Sequence, residues 1–220
     1  MSVKEIAHRL KGIILFGIFY LTAFFCMEAR DVPIHIIHTA FDDMIPFCKY
    51  FIIPYVIWYF YVGATIFYLA LTDRDLKEYN RFILNMELGM VVFVIISFVY
   101  PNGQDLRPQI EVTDWYTGLI HLLYTIDTST NILPSLHVYA SVACCIALCR
   151  DRNFRKKPVL QWITTLLTVS ICLSTMFIKQ HSVIDVTAAF LFNGLFYSLI
   201  YQPEYSTAKV TVRKKAIQKT

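Results

Sequence analysis

The sequence predicts an all-α integral membrane protein, a six-transmembrane-helix bundle with interfacial helices in the outer loops. Three observations predict this fold class. The 220-residue chain is 56% hydrophobic and only 16% charged, whereas soluble domains are about 45–50% apolar. Its apolar residues are gathered into six blocks, each close to the ~20 residues that cross a bilayer. Short basic segments alternate with these blocks.

The six predicted spans must be helical, because only a helix satisfies its own backbone polar groups inside a bilayer. The first block follows a basic start, as a signal peptide does, but the flank Met27-Glu28-Ala29-Arg30-Asp31 offers no cleavage site of small residues. We therefore expect a retained helix. The spans lie near residues 12–28, 50–72, 83–100, 134–149, 158–178 and 182–201.

Orientation follows from the lysines and arginines in the short connections. Sixteen of the 20 lie in the N-terminal segment, the 73–81 loop, the 150–157 loop and the tail. We therefore expect both termini to be cytoplasmic. Residues 1–205 form the predicted membrane domain, and 206–220 form a basic cytoplasmic tail. The four remaining basic residues lie on the other side: Arg30, Lys49, Arg107 and Lys179.

Two outer segments are longer than a connection requires. Residues 31–48 mix apolar with polar side chains, which suits a segment lying in the membrane interface. Residues 101–133 place apolar side chains at helical spacing from Trp115 to Ile126. We expect an interfacial helix there, with Asp114 as its N-cap.

Polar and titratable residues gather at the outer ends of spans three to six, all within residues 100–185. The predicted orientation puts these ends on one face of the membrane, so they can converge although they are far apart in the chain. Titratable residues inside spans are costly and are therefore candidates for function. The clusters are Tyr100–Pro108, Leu133–His137 and Ser174–Asp185.

His181 and Asp185 are the most informative pair. Side chains at i and i+4 share a helix face, and helical side chains lean toward the N-terminus, so Asp185 can reach the His181 ring. A carboxylate that takes the Nδ1 proton leaves Nε2 free as nucleophile or base. The alternative is a buried hydrogen bond that only holds a helix end.

His137 supplies a second imidazole, and a reaction through phosphohistidine needs a separate acid for the leaving oxygen. Arg107 offers a fork of donors that matches phosphate, and Lys179 adds a charge near His181. Backbone N–H groups near Ser135, at the start of span four, form an anion site. The alternatives are a solvated surface histidine and basic side chains that snorkel to the interface.

Taken in order, these clusters resemble the three signature motifs of the type 2 phosphatidic acid phosphatase superfamily. The resemblance covers about residues 83–201, and it is closest to the branch that contains inositol phosphorylceramide synthases. Three positions depart from the phosphatase pattern: Tyr100 for lysine, Leu136 for glycine and Thr175 for arginine. The matching motifs are Arg107-Pro108, Pro134-Ser135-x-His137 and Ser174-x6-His181-x3-Asp185.

The resemblance implies a catalytic role for each histidine: His181 is the nucleophile, oriented by Asp185, and His137 is the general acid. It also implies chemistry that needs no metal or cofactor, and the sequence shows no zinc-type spacing of ligands. Lys179 is expected to replace the charge that Thr175 lacks. The positions that would bind phosphate oxygens are Arg107, Ser135 and Ser174.

The sequence therefore predicts a lipid phosphate phosphatase or phosphotransferase whose active site is extracytoplasmic. Its expected partners are a membrane lipid phosphate and, for transfer, an alcohol or lipid acceptor; no nucleic acid is expected. The two outcomes differ only in the acceptor. A different class stays open: a non-catalytic lipid-binding or transport protein on the same scaffold.

Overall fold

A computed structural model describes residues 3–73 and 76–201 and is mostly helical. Two short 3-10 helices, Lys49–Phe51 and Phe154–Lys156, precede the third and seventh α-helices. The predicted basic tail, residues 206–220, lies outside the described residues, as does Arg74 of the 73–81 loop. The α-helices are α1 Val3–Glu28, α2 Ala40–Met44, α3 Ile52–Thr72, α4 Lys77–Val99, α5 Trp115–Ile126, α6 Leu136–Arg150, α7 Pro158–Phe177 and α8 Val183–Tyr201.

Five helical segments in the described ranges are long and apolar enough to cross a membrane, as a multi-pass membrane protein requires. The fourth predicted span corresponds to α6, which has only 15 residues. A helix of that length rises about 22 Å, less than the ~30 Å hydrocarbon core. The structure therefore gives five spans by length and composition, and the predicted count of six is not confirmed. The five are Lys11–Glu28, Lys49–Thr72, Lys77–Val99, Pro158–Phe177 and Val183–Tyr201.

Helix α6 is the central element of the bundle, in contact with α3, α4, α7 and α8. Small side chains dominate its buried face and let the neighbouring helices approach closely. Because these neighbours cover α6, its sequence reflects packing against protein more than contact with lipid. Its fully buried small residues are Ser141, Ala143, Cys144 and Ala147.

One aromatic ring joins α4, α6 and α8. The Tyr139 ring lies directly against Gly89, where an added Cβ would come 2.1 Å from Tyr139 Cε1. The Tyr139 hydroxyl donates to Asn85 Oδ1 at 2.7 Å, and Asn193 Nδ2 donates to the Tyr139 carbonyl at 2.9 Å. Apolar packing alone is not directional, so these hydrogen bonds between buried polar groups fix the register of the three helices.

Helix α1 lies at the side of the bundle, against α3 and α4. Tyr20 and Phe24 pack on Phe93 of α4, with ring centroids 6.1 and 6.4 Å apart. Other α1 side chains, such as Ile18 and Phe25, are more than half exposed. Such apolar exposure suits a helix whose outer face meets lipid.

The two outer segments are joined to each other. Residues His35–Ile36 form strand β1, which pairs in parallel with β2, Asn102–Gly103. The 31–48 segment contains only the five-residue α2 as α-helix, so it is mainly a loop. The predicted helix in 101–133 is confirmed as α5, and its N-cap Asp114 accepts a hydrogen bond from the Thr117 backbone N–H at 2.9 Å.

Candidate functional site

A cavity of about 410 Å³ opens within the helix bundle at the outer-loop end. Aromatic and aliphatic side chains of α1, α3, α4 and α6 form most of its wall. One end is polar and carries His137, His181, Gln180 and Asp127. A mostly apolar cavity with a few converging polar groups is the usual form of a site for a small molecule or lipid. The apolar wall includes Tyr20, Phe24, Met86, Met90 and Phe93.

His181 lies in the tight turn between α7 and α8. The backbone N–H groups of Gln180 and His181 both donate to the Thr175 carbonyl, at 2.9 and 3.0 Å. Lys179 takes a left-handed conformation, with φ of 55°, and so reverses the chain. The i, i+4 spacing predicts a shared helix face for His181 and Asp185, but α8 begins only at Val183 and His181 lies in the turn before it.

The predicted contact between His181 and Asp185 nevertheless forms. His181 Nδ1 lies 3.4 Å from Asp185 Oδ2, but the two atoms form no hydrogen bond. The same oxygen accepts the Ser182 backbone N–H at 2.9 Å, and Asp185 is fully buried. The arrangement leaves Nε2 as the nitrogen directed away from the carboxylate.

His137 lies in the first turn of α6 and is enclosed by rings of α3. Its ring centroid is 4.5 Å from that of Tyr55 and 4.2 Å from that of Trp58. The two histidine rings are 5.8 Å apart, centroid to centroid. His137 Nε2 is buried and has no hydrogen-bond partner among the described residues. His137 is therefore a component of the cavity wall, not a solvated surface residue.

Arg107 lies beside this cluster and is held by the protein itself. Its guanidinium donates to the carbonyls of Asp127 and Thr128, both at 2.8 Å, and to the side-chain oxygen of Gln180. It also lies 4.5 Å from the centre of the Tyr124 ring. Burial lowers the pKa of Arg107, and the nearby negative charge of Asp127 opposes that shift. Arg107 therefore fixes the loop after α5 against the α7–α8 turn.

The other predicted phosphate-binding residues do not line the cavity. Ser135 caps α6: its Oγ accepts the Val138 N–H at 3.4 Å, and its own N–H donates to the Asp185 carbonyl at 3.2 Å. Ser174 is fully buried, and its hydroxyl donates to the Ile171 carbonyl at 2.7 Å. The structure therefore places both serines in hydrogen bonds within the helices, and their proposed contact with phosphate stays a prediction.

Lys179 is also directed away from the histidines. Its ammonium donates to the backbone carbonyl of Asp42 at 2.7 Å. Asp42 itself is 2% exposed and caps α8, since its carboxylate accepts the Ser182 hydroxyl at 2.7 Å and the Val183 N–H at 2.8 Å. We did not predict this role, because Asp42 lies 140 residues before Ser182. Locally, Asp42 is only one of several polar residues in a mixed interface segment.

Asp127, at the end of α5, is a further cavity residue that the sequence argument missed. Its Oδ2 accepts a hydrogen bond from the Tyr55 hydroxyl at 3.1 Å. Burial raises the pKa of Asp127, and the nearby His181 opposes that rise. A carboxylate therefore lies close to the histidine pair. Such a group favours a ligand that does not carry a large negative charge.

The described residues contain no group of three or more His, Cys, Asp or Glu side chains that could hold a metal ion. The site is thus built from two imidazoles, the Asp127 carboxylate and the Gln180 amide at one cavity, with Asp185 buried behind His181. No protein-family model, curated protein or solved structure matches this chain, so its chemistry has to be inferred from the site itself.

Proposed function

We propose that this protein is a metal-independent lipid phosphate phosphatase or phosphotransferase that works through a phosphohistidine. The observation that carries the proposal is the position of the two histidine rings, 5.8 Å apart at the polar end of an apolar cavity. The apolar end suits a hydrocarbon chain, and the polar end suits a phosphate. The order of the motifs on the chain supports the same function.

In the first step, His181 Nε2 attacks phosphorus and forms an N–P bond while the P–O bond to the leaving alkoxide breaks. Protonated His137 gives that alkoxide its proton. Asp185 lies behind His181 Nδ1, where it stabilises the positive charge that develops on the ring. In the second step, water or an alcohol loses its proton to His137 and attacks phosphorus, and the N–P bond breaks. Water gives hydrolysis, and an alcohol gives transfer.

The proposal includes a membrane frame of six spans, in which α6 completes a crossing within the bundle. Helix α6 is surrounded by α3, α4, α7 and α8, which supports this frame. A helix that contacts protein on all sides need not be as long as the hydrocarbon core is thick. The distribution of lysine and arginine supports cytoplasmic termini and an extracytoplasmic site. The cavity lies at the end of the bundle where Arg30, Lys49, Arg107 and Lys179 are found.

The test compares purified wild type with His181→Ala in detergent containing EDTA. Lipid phosphate monoesters and phosphodiesters are supplied with and without alcohol acceptors, and products are identified by mass spectrometry. We expect phosphate release or headgroup transfer in the wild type and a loss of at least about 1000-fold in the variant. His121→Ala, a change of an exposed histidine in α5, should retain activity.

Free phosphate would identify hydrolysis, and a lipid carrying a transferred headgroup would identify transfer. Turnover that is equal in wild type and His181→Ala would contradict the proposed nucleophile. If folded wild type binds lipid phosphates and turns over none of them, the cavity belongs to a lipid-binding or transport protein instead.

A further inference from the structure

The wall of the cavity contains buried polar atoms that have no hydrogen-bond partner. Gln180 Nε2, Trp58 Nε1, His137 Nε2 and His181 Nδ1 are all inaccessible and unpaired among the described residues. All four side chains line the same cavity. Leaving a buried polar group unpaired forfeits its hydrogen bonds to water without replacing them, so proteins rarely do it without a reason. Two of these atoms, Gln180 Nε2 and Trp58 Nε1, can only donate, so they indicate a ligand that brings acceptor atoms.

The orientation of the Gln180 amide is set by Arg107. A guanidinium has only donors, so it accepts only the oxygen end of an amide beside it. Gln180 Oε1 takes this place against Arg107, and the NH₂ group must therefore point the other way. Gln180 is 2% exposed, so its amide cannot turn to solvent instead. Arg107 thus acts as a positioning residue for the Gln180 NH₂ group.

The Trp58 indole is the second donor, and its N–H group can only donate. The Trp58 ring lies 4.2 Å from the His137 ring, centroid to centroid, in the cavity wall. The indole ring therefore lies beside the proposed general acid. Both Trp58 and Gln180 are electrically neutral, which distinguishes them from the cations that we predicted for phosphate binding.

We propose that Gln180 Nε2–H and Trp58 Nε1–H donate hydrogen bonds to the non-bridging phosphoryl oxygens of the substrate, and that this site accepts a singly charged phosphoryl group. The inference rests on the proposed phosphoryl transfer, because it names the groups that hold the phosphorus attacked by His181. Neutral donors aimed at developing oxygen charge stabilise a transition state without the desolvation cost of a buried cation.

The charges near the cavity support the preference for a single negative charge. Arg107 and Lys179 are both bound to backbone carbonyls. Asp127 is a cavity residue, and its carboxylate repels anions. A phosphate monoester, doubly charged above about pH 6, therefore meets more repulsion here than a phosphodiester with one charge.

Indole N–H signals in ¹⁵N nuclear magnetic resonance test the donor role directly. The chain has three tryptophans, and Trp115 and Trp162 are 58% and 69% exposed, so these two serve as internal controls. Trp58→Phe assigns the third signal. The probes are dodecylphosphocholine, a phosphodiester, and dodecyl phosphate, a monoester, each added at pH 8 to protein in maltoside micelles. Dodecyltrimethylammonium controls for the chain and the ammonium group.

We expect a saturable downfield shift of the Trp58 indole proton with dodecylphosphocholine, a weaker response to dodecyl phosphate and none to dodecyltrimethylammonium. Gln180→Glu keeps an oxygen for Arg107 but removes the donor and adds a negative charge, so it should weaken binding at least about 10-fold. It should also lower kcat/KM by about 100-fold or more. Gln109→Glu, at an exposed loop position, should change neither value.

An unmoved Trp58 signal, with turnover that depends on His181, would overturn the donor pair and leave the proposed function in place. Stronger binding of dodecyl phosphate than of dodecylphosphocholine would overturn the charge preference. The expected Trp58 shift without any turnover that depends on His181 would support the donor pair and contradict the proposed chemistry.

Discussion

Ser182 connects two carboxylates that are far apart in the chain. Its backbone N–H donates to Asp185 Oδ2 at 2.9 Å, and its hydroxyl donates to Asp42 Oδ2 at 2.7 Å. All three residues are buried. Because a buried carboxylate is stable only when donors surround it, Asp42 and Asp185 both depend on the geometry of the first turn of α8. Asp42, in the 31–48 segment, therefore helps to hold Asp185 in its position behind His181.

We predict that Asp42→Ala lowers the free energy of unfolding by about 3 kcal/mol, since it leaves the Ser182 hydroxyl and the Val183 N–H without an acceptor. Burial raises the pKa of the Asp42 carboxyl, but hydrogen bonds from Val183, Ser182 and Thr39 outweigh burial and hold that pKa below its ordinary value. The stabilisation is therefore complete above the unfolded-state pKa, near 4. It is lost as the pH falls through the lower folded-state value.

Thermal unfolding in detergent between pH 3 and pH 8 measures this effect. The difference between wild type and Asp42→Ala should be constant above about pH 5 and shrink below about pH 4. Asp43→Ala is the matched control, because the Asp43 side chain is 67% exposed. A difference that grows as the pH falls would show that the Asp42 carboxylate does not cap α8.

From the sequence, only those site residues could be predicted whose side chains are costly to place in a membrane. His137, His181 and Asp185 stood out because titratable groups at span ends need a reason to be there. Gln180 and Trp58 gave no such signal, since a neutral amide near a charged turn and one aromatic ring among many are ordinary. Their relevance depends on unpaired atoms, which only the three-dimensional arrangement reveals.

Among the elements, the long apolar helices were predictable from hydropathy, and their ends were not. The span predicted at 83–100 corresponds to α4, Lys77–Val99, which begins six residues earlier. The span predicted at 182–201 is close to α8, Val183–Tyr201, whose first-turn donors bind the carboxylates of Asp42 and Asp185. The β1–β2 pair was not predicted, since two residues per strand leave no periodicity to read. Helix α5 was predictable because its apolar spacing and N-cap are both local.

Close packing between α4 and α6 predicts contrasting effects for two helix glycines. A Cβ at Gly89 would come 2.1 Å from the Tyr139 ring, and that ring is 1% exposed and bonded to Asn85. Gly89→Ala should therefore destabilise the protein by about 2 kcal/mol. Gly63 in α3 has nothing within 4 Å of its Cβ position. Gly63→Ala should be neutral or stabilise by up to about 1 kcal/mol.

Unfolding midpoints of the two alanine variants in the same detergent check this prediction. The native helix is otherwise preserved in both, so the difference between them isolates the contact with Tyr139. Equal midpoints for Gly89→Ala and Gly63→Ala would mean that α4 and α6 are further apart than the structure places them.

At the scale of the whole molecule, the arrangement separates a basic end from an end that carries the site. Ten of the 14 lysines and arginines in the described ranges belong to the end with the 150–157 loop. The cavity, α5 and the β1–β2 pair lie at the opposite end. Hydropathy and charge predict this polarity, because both act over whole segments. They cannot predict that the cavity opens among α1, α3, α4 and α6, since that depends on which helices pack together.

The orientation of the whole protein yields the broadest prediction. Glu111→Cys, in the exposed loop before α5, should react with a membrane-impermeant thiol reagent applied to sealed cells. Asn153→Cys, in the exposed turn between α6 and α7, should react only after the membrane is permeabilised. Mass spectrometry of the labelled peptides separates each new cysteine from the six native ones. Labelling in the reverse pattern would place the histidine pair on the cytoplasmic side, where a substrate from the outer leaflet cannot reach it. Such a result would contradict the charge argument and leave the geometry of the site unchanged.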